Sequence, residues 1–385
     1  MTHGTTEQLP TPVPVLLMVR ELDLGGVERD VTQIAMHLDR RRFFPHVATY
    51  CARGLRYEEL SSAGIPILEI PVRSLFSANA VKMAAELRRY ILAHGIKIVH
   101  AYDASGILGL AVAKMAGVPV AIGSQLSHRG LLDWKTRWLL RATDRYSDAI
   151  LVNCLALRRY LVEDERVAES KLRLCHNGVL THEFSPGERT LPRELEGAAL
   201  VVGTVCVLRK EKNLPLLLSA FAKIQHLTSG LRLVIVGGGP ELATLKAVAD
   251  QLGIAGITVF ASATREVAQW LRAMNIFVLP SYSEAFSNAL LEAMACGCAV
   301  IGSDVGGTPE LIGPSGERGL LFRNNDLEDL VDKLTRTLQN LELRQRLGSN
   351  AAAYVAQYLT IETAAETTAH IYEELLLKKS TQSQA

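Results

Sequence analysis

The sequence predicts an α/β protein of two domains, each built on a parallel β-sheet with helices on both faces. Three observations support this prediction. The chain has 385 residues, of which 48% are hydrophobic, and this is enough for two cores in domains of roughly 180 residues. Short apolar runs alternate with amphipathic segments along most of the chain. Such repeated strand–helix units are typical of doubly wound parallel sheets, whose ligands bind beyond the carboxyl ends of the strands.

The composition excludes several classes of protein. The net charge is +1, and no basic block or finger motif suggests a nucleic-acid partner. The six cysteines lack the spacing of a zinc or redox site, which favours a reducing compartment and no metal. The first residues lack the basic start and apolar core of a signal peptide. The run from Gly106 to Gly123 is broken by Lys114, Gly117 and Pro119, so we expect a cytoplasmic protein without a transmembrane span.

The first half of the chain reads as alternating strands and helices after a frayed tail at residues 1–12. A linker is expected at 184–197, which carries two prolines and three glutamates. The predicted strands are 13–19, 46–51, 67–70, 98–100, 118–123 and 149–153, and the predicted helices are 31–38, 57–63, 80–94, 105–116, 131–146 and 155–163.

The second half continues the alternation. Ser287 is a good cap for a helix that runs to about Cys296, where Gly297 should end it. Two long helical patterns follow near the C-terminus, at 327–347 and 351–377. The predicted strands are 200–208, 231–236, 257–260, 276–279, 298–301 and 319–322.

The stretch from Pro280 to Glu310 carries a carboxylate at each end of one predicted helix. Glu284 and Glu292 are eight residues apart, roughly 12 Å along a helix. A carboxylate pair that cleaves one sugar bond with retention needs about 5 Å. These two acids are therefore better placed to hold the ends of a long ligand, with a phosphate at the helix N-terminus between them. Spacing alone leaves a second interpretation open, a buried helix with solvated glutamates.

The segment E-A-F-S-N-A-L-L-E resembles the E-x7-E motif of retaining glycosyltransferases of family 4, which have the GT-B fold. The flanking P-S-x-S-E-x-F, L-L-E-A-M-A-x-G and V-G-G-x-P-E-L extend the resemblance over about 30 residues. It implies that Glu284 contacts the transferred sugar and Glu292 the ribose. It also implies that backbone amides of Phe286, Ser287 and Asn288 bind the diphosphate.

Other segments resemble the same family. The G-G-x-E loop after the first strand implies that Gly25 and Gly26 face the donor. R-K-E-K-N-L-P is similar to the R-x4-K-[GN] element, whose two cations bind the diphosphate. Lys212 matches the lysine. Val207 stands at the arginine position, and Arg209 is the candidate to replace it. The turn G-G-G-P after the strand 231–236 resembles V-G-x-G-P of the family.

Polar residues near strand ends in the first half are further candidates. The family has a histidine after the fifth strand that contacts the sugar, and His128 lies a few residues beyond that place. It stays an open candidate. A structural role is the simpler interpretation of the other strand-end residues, which are His100, Tyr102, Asp103, Ser124 and Gln125.

The resemblance implies two Rossmann-like domains that face a central cleft. Residues 1–184 would form the acceptor-side domain, with the helix 363–385 packing back on it, and 185–362 would bind the nucleotide sugar. The implied enzyme is a metal-independent retaining hexosyltransferase without a further cofactor, and its donor is a UDP- or GDP-sugar. The implied acceptor is a hydroxyl of a glycan or lipid-linked glycan in cell-envelope or exopolysaccharide synthesis. The family reacts by front-face attack, in which the leaving phosphate takes the acceptor's proton.

Two alternatives remain at this point. A nucleotide-sugar epimerase has the same two-domain architecture but needs no acceptor. A non-catalytic nucleotide-sugar-binding subunit would tolerate the shifted histidine and the loss of the arginine at Val207.

The predicted helix 131–146 is basic and aromatic. Trp134, Trp138 and Ala142 fall on one helical row. One interpretation is a helix packed on its own domain. The other places Leu131, Trp134, Trp138 and Arg141 against the inner face of an anionic membrane, as would suit a lipid-linked acceptor.

Overall fold

The computed structural model describes residues 12–23, 25–72, 78–313 and 316–384. It divides into two compact units. The N-terminal unit contains the chain up to Gly178 and returns from Ile361 onward, and the C-terminal unit is Val179–Thr360. Both boundaries fall a few residues before the predicted ones at 184 and 363. The tail predicted at 1–12 lies outside the described residues except for Pro12.

The N-terminal unit is built on a seven-stranded sheet in which every described pairing is parallel. The strand order is β3-β2-β1-β4-β5-β6-β7, so the order reverses between β1 and β4. In open α/β sheets such a switch point creates a crevice at the carboxyl ends of the strands. The strands are β1 (Val13–Glu21), β2 (Phe43–Cys51), β3 (Ile67–Glu69), β4 (Ile98–Tyr102), β5 (Val120–Gln125), β6 (Ala149–Val152) and β7 (Leu172–Leu174).

The helices of this unit follow the strands as predicted, and two of them differ from the predicted range by more than two residues at one end or both. The first helix begins at Gly26 rather than at 31, because the two glycines form its start rather than a preceding loop. The predicted helix 131–146 is an α-helix only over ten residues, with a single turn of 3-10 helix on each side. The helices are α1 (Gly26–His37), α2 (Leu55–Ser62), α3 (Ala78–Ala93), α4 (Gly106–Met115), α5 (Trp134–Thr143) and α6 (Leu155–Glu163).

The C-terminal helix α14 (Ile361–Gln384) completes the N-terminal unit. Its Tyr372 is fully buried, and the phenol oxygen lies 2.7 Å from Nδ1 of His100 on β4. Ion pairs surround this buried contact, among them Arg42 with Glu373 at 2.9 Å. The helix therefore belongs to the core of a unit whose other elements lie far from it in the sequence.

The C-terminal unit has a six-stranded parallel sheet of order β10-β9-β8-β11-β12-β13. The order reverses between β8 and β11, which gives this unit a switch point of its own. Apolar side chains of the strands and of the covering helices form one continuous core. The strands are β8 (Leu200–Val205), β9 (Leu231–Val236), β10 (Thr258–Ala261), β11 (Ile276–Leu279), β12 (Ala299–Ser303) and β13 (Leu320–Phe322).

The two long helices predicted at 327–347 and 351–377 are wrong in their division. The chain breaks at Asn340, whose side chain accepts a hydrogen bond from the Leu343 amide at 2.8 Å and so caps the next helix. Gly348 lies inside that helix. Glycine is needed there because a Cβ would stand 2.1 Å from the carbonyl oxygen of Gly297. The helices are α7 (Leu214–Ile224), α8 (Leu242–Gln251), α9 (Val267–Ala273), α10 (Asn288–Ala295), α11 (Thr308–Ile312), α12 (Leu327–Gln339) and α13 (Leu341–Tyr358).

Two doubly wound parallel-sheet units confirm the predicted fold class. Within the described ranges, none of the helices combines the length and the hydropathy that crossing a membrane requires.

Candidate functional site

The switch point of the C-terminal unit brings together two loops that are about 70 residues apart in sequence. Strands β8 and β11 are parallel neighbours, with Val202 opposite Ile276 and Gly203 opposite Phe277. Both strands therefore end at the same edge of the sheet. The loop after β8 carries the cationic segment 209–212, and the loop after β11 carries Glu284.

Lys212 and Glu284 form an ion pair at this edge. The distance from Lys212 Nζ to Glu284 Oε2 is 2.7 Å, and the hydroxyl of Ser281 donates to the same oxygen at 3.1 Å. Only 20% of the Lys212 side chain and 13% of the Glu284 side chain are exposed. The pair is thus largely shielded from water. A charge interaction is stronger at such a shielded position than on an open surface.

The charge state of Lys212 is fixed by its surroundings. Burial alone would lower the pKa of its amino group, but the charge and hydrogen bond of Glu284 outweigh burial and raise this pKa. Burial acts in the same direction as the final shift at the neighbouring thiol of Cys206, where it raises the pKa to about 12. The site therefore offers one persistent cation beside a neutral thiol.

The loop that carries Glu284 is held by the last residue of β12 and by the residues that follow this strand. Ser303 donates a hydrogen bond to the Ser281 carbonyl at 2.5 Å, and the Gly307 amide donates to the Ala285 carbonyl at 2.6 Å. Gly306 has a φ of +53°, and a Cβ there would lie 1.8 Å from the carbonyl oxygen of Glu284. Only glycine fits this position, so the V-G-G segment fixes the backbone from which the carboxylate projects.

The loop that leads to Lys212 is held by the G-G-G-P turn after β9. The Leu208 amide donates to the Gly238 carbonyl at 2.9 Å, and the Cys206 amide to Val236 at 3.0 Å. Gly237 has a φ of +142°, and a Cβ on it would lie 1.9 Å from the Cys206 carbonyl oxygen. This glycine turn therefore acts as a support for the cationic loop.

Helix α10 begins next to Glu284, as predicted. The Ser287 hydroxyl accepts a hydrogen bond from the Leu290 amide at 3.3 Å, and Gly297, with a φ of +80°, ends the helix. Phe286 and Ser287 are buried, and Asn288 is half-buried. The positive end of a helix dipole suits an anion.

Glu292 lies inside α10 and is 3% exposed. Together with the shielding of Glu284, this overturns the interpretation of a helix with solvated glutamates. Burying a carboxylate costs free energy unless polar groups bond to it.

Arg209 stands apart from the ion pair. Its side chain is 63% exposed, and its guanidinium lies 4.0 Å from the carboxylate of Glu211. Val207, at the position where the family has its arginine, is also exposed. The structure thus joins Lys212 to Glu284 and leaves Arg209 facing solvent.

In the N-terminal unit, Gly25 and Gly26 form the start of α1 at that unit's own switch point. The carboxylate of Glu28 folds back over them, since a Cβ on Gly25 would lie 1.9 Å from Glu28 Oε2. Burial raises the pKa of the nearby Asp103 to about 6, and the charge of Glu28 adds to this rise. A phosphate could approach Gly25 only after the Glu28 side chain turns away.

His128 follows β5 and caps the short turn Arg129–Leu131. Its ring packs on Tyr160 with 4.3 Å between ring centroids, and burial lowers its pKa. The next residue, Arg129, is 1% exposed and forms a two-pronged bond with Asp144 at 2.7 and 2.9 Å. The histidine thus lies on the edge of a buried ionic network.

The other strand-end residues of this unit are held by hydrogen bonds within the unit. His100 Nε2 lies 2.7 Å from the Ser124 hydroxyl, and the Asp103 carboxylate accepts a hydrogen bond from the Leu126 amide at 2.9 Å. Gln125 bonds to Arg129 at 2.8 Å. These contacts support the structural interpretation of this set. Tyr102 and Ser124 also line a small pocket beside α1 and α14.

Three residues that shape the site were given no individual role from the sequence, although Ser281 and Gly237 lie in segments that resemble the family. Ser281, Ser303 and Gly237 carry no charge and stand in ordinary turn or strand contexts. Their role follows from which strands become neighbours. Among the residues that the structure describes, no group of three or more His, Cys, Asp or Glu side chains is placed to hold a metal ion.

Two family models match the chain, one in each half. Residues 24–183 match Glycosyltransferase Family 4, and residues 193–354 match Glycosyl transferases group 1. The two matches together span most of the chain and meet close to the boundary between the structural units.

The chain is also similar to individual proteins. It is 29% identical to a sulfoquinovosyl transferase of Arabidopsis thaliana over 68% of this chain and 53% of the relative. It thus spans about half the length of this curated relative, as it does of several others. A D-inositol 3-phosphate glycosyltransferase of Corynebacterium jeikeium is 28% identical over 92% of both chains.

A solved structure shows the same fold. The Anabaena protein HepE, in complex with UDP and glucose, superposes with a TM-score of 0.81 at 18% identity, over 94% of this chain and 100% of that one. The first half of the chain is thus similar to glycosyltransferase family 4 domains and the second half to group 1 glycosyltransferases, and the fold is that of the solved HepE structure.

Proposed function

We propose that this protein is a retaining glycosyltransferase of family 4 that moves a hexose from a nucleotide sugar to a hydroxyl acceptor. The shielded Lys212–Glu284 pair at the switch point of the group 1 domain is the observation that carries the proposal. It sets a cation, an acid and a helix N-terminus at one sheet edge, as a sugar–diphosphate ligand requires.

The proposed chemistry needs charge stabilisation rather than an activated nucleophile. As the sugar leaves, negative charge grows on the diphosphate. The ammonium of Lys212 and the amides at the start of α10 would stabilise this charge without a metal ion or other cofactor. Glu284, which holds the ammonium in place, would orient the sugar. Arg209 would need to swing from solvent to assist.

The donor is proposed to be a UDP- or GDP-sugar. HepE, the similar protein, is described in complex with UDP and glucose, and this favours UDP-glucose as the first compound to test. The acceptor proposed is a glycan or a lipid-linked glycan, a class that also includes the exopolysaccharide and cell-envelope products considered above.

Calorimetric titration with a panel of nucleotide sugars tests the donor. We expect one UDP- or GDP-sugar to bind and the Glu292→Ala variant to bind it at least tenfold more weakly, because Glu292 would meet the ribose. An unchanged affinity of this variant would remove the ribose role. Binding of no nucleotide sugar by the folded wild type would overturn the proposal.

Product analysis separates transfer from the two alternatives. The anomeric proton coupling of the product should show the configuration of the donor, as retention demands. An epimerase would convert the donor with no acceptor present. A binding subunit would take up donor and return it unchanged with every acceptor offered.

A further inference from the structure

Helix α5 presents an exposed stripe of aromatic and cationic side chains. Leu131 is 57% exposed, Trp134 74% and Trp138 63%. Trp134, Trp138 and Arg141 follow the spacing i, i+4 and i+7, so they share one face of the helix. The helix does pack on its own unit, through its buried Leu140 and Thr143, but the two indoles lie on its exposed side.

Two arginines tie the same helix to its own unit. The carboxylate of Glu165 is fully buried and bonds to Arg137 and to Arg141, each at 2.6 Å. The Tyr160 hydroxyl donates to the same carboxylate at 2.7 Å. Asp133 caps the helix by accepting from the amides of residues 135 and 136. With its orientation set in this way, the helix holds both indoles on the outside.

The charge around the indoles is positive. The segment 131–145 contains four Lys or Arg residues and two Asp residues. One acid, Asp144, is taken by the buried Arg129, and the other, Asp133, is the helix cap. Arg137 and Arg141 bond to Glu165, so Lys135 and Arg145 supply the charge that a lipid headgroup would meet. Lys135 lies over the ring of Trp134, 5.6 Å from its centroid, and Arg145 is exposed.

We infer that this stripe, formed by Leu131, Trp134, Lys135, Trp138, Arg141 and Arg145, docks the protein on an anionic lipid bilayer. Indoles favour the boundary between headgroups and acyl chains, and the cations would meet lipid phosphates. A helix of ten residues is about 15 Å long, which suits lying in the interface and not crossing it. The inference goes beyond the proposed function, since lipid binding is measured without donor or acceptor.

Tryptophan fluorescence gives a direct readout. The chain has three tryptophans, and the third, Trp270, is buried in the other unit. On addition of vesicles of phosphatidylcholine mixed with phosphatidylglycerol at low ionic strength, the emission should shift to the blue. Lipids brominated along the acyl chain should quench it. Vesicles of phosphatidylcholine alone should have a much weaker effect, and high salt should release the protein.

Matched variants separate this stripe from ordinary exposed apolar residues. Trp134→Ser combined with Trp138→Ser should lower the partition coefficient in flotation assays at least tenfold. Lys135→Gln combined with Arg145→Gln should lower it roughly 25-fold at low salt, about fivefold for each charge. The control, Val81→Ser with Leu377→Ser, removes side chains that are equally exposed elsewhere on the same unit and should change nothing.

Three outcomes would overturn the inference. The wild type may float with neither kind of vesicle at low salt, or the tryptophan variant may bind as well as the control variant. Alternatively, the wild type may form dimers that the tryptophan variant abolishes while neither binds vesicles, which would make the stripe a protein interface. Emission from Trp270 reports in each case that the variant is folded.

Discussion

At the scale of single residues, the proposed reaction depends on the ion pair between Lys212 and Glu284. Lys212 and Glu284 are joined at 2.7 Å while mostly shielded from water. A diphosphate carries more negative charge than one carboxylate, so it would compete with Glu284 for the ammonium. The pair then holds Lys212 in place before the ligand arrives, and such preorganisation is where catalytic charge is most effective.

Removing this cation should affect turnover far more than folding. We expect Lys212→Gln to lower kcat about 10²- to 10³-fold, as the loss of a preorganised group does elsewhere. Steady-state kinetics with the donor found by calorimetry measures this. Lys210→Gln, in the same turn but exposed, is the matched control. A variant at Lys212 with near-normal kcat would contradict the assignment.

Arg209 is the residue whose role the sequence left open. The motif could not decide whether Arg209 replaces the family's arginine, because Arg209 lies two residues after that position. In the structure its exposed side chain points toward Glu211 and not toward the Lys212–Glu284 pair. Lys212, by contrast, was proposed from its place in the motif alone, and the structure pairs it with Glu284. Ser281 and Ser303 were given no role because an uncharged serine in a turn or at a strand end carries no signal until the neighbouring strands are known.

Gly306 should be the least replaceable glycine of the site. Gly306→Ala adds a Cβ that would lie 1.8 Å from a backbone oxygen of Glu284, at a φ of +53°. Gly253→Ala is the control, because its φ of +67° imposes similar backbone strain in open space. That strain is worth about 1–2 kcal/mol in both. In urea unfolding, Gly306→Ala should lose more stability than the control and should also lose turnover. Equal losses would mean that the loop yields easily.

At the scale of whole elements, the junction between α14 and the first sheet depends on a buried polar contact. His100 bonds to Tyr372 at 2.7 Å and to Ser124 at 2.7 Å, and all three are buried. Burial lowers the pKa of His100 to about 3. The imidazole is thus neutral in the folded protein and would be charged in the unfolded chain below about pH 6.5.

This contact makes the first unit sensitive to acid. The unfolded chain binds the proton more readily than the folded one, so stability is complete above about pH 6.5 and falls as the pH drops toward 3. The slope for this group reaches about 1.4 kcal/mol per pH unit. Chemical unfolding at several pH values should show a slope in His100→Gln that is smaller by one proton. Tyr372→Phe should be less stable throughout with the slope retained. An unchanged slope in His100→Gln would contradict the account.

The ends of elements were predicted less well than their existence. Ser287 and Gly297 were identified correctly because cap residues act locally. The helix predicted to end at 347 instead continues through Gly348, which packs against Gly297, while Asn340 caps the start of that helix. A glycine has both uses, and only the tertiary neighbour decides between them.

At the scale of the whole molecule, the two sheets share one plan. In each, the first strand is followed by neighbours on one side and the fourth strand lies on the other. The sequence predicted parallel sheets because buried strands and amphipathic helices alternate without a break. It did not predict the buried network of Arg129, Asp144 and Glu165, whose members come from three separate segments. Long-range ionic contacts of this kind leave no periodic signal.

The two units differ in one respect that can be tested. The C-terminal unit is continuous in sequence, from Val179 to Thr360, and contains its own sheet and core. At about 180 residues it is long enough to fold alone. The N-terminal unit needs α14, which reaches it only after the other unit is complete.

We therefore expect the fragment 179–360 to unfold in one cooperative transition and to bind the nucleoside diphosphate of the donor, because Lys212, Glu284 and Glu292 are all within it. The fragment 1–178 should expose the apolar surface that Tyr372 and its neighbours cover and should bind hydrophobic dyes. Calorimetric melting of both fragments measures this. Cooperative melting of 1–178, or a 179–360 fragment that folds but does not bind the nucleotide, would show that the sheet plan alone does not define an independent donor domain.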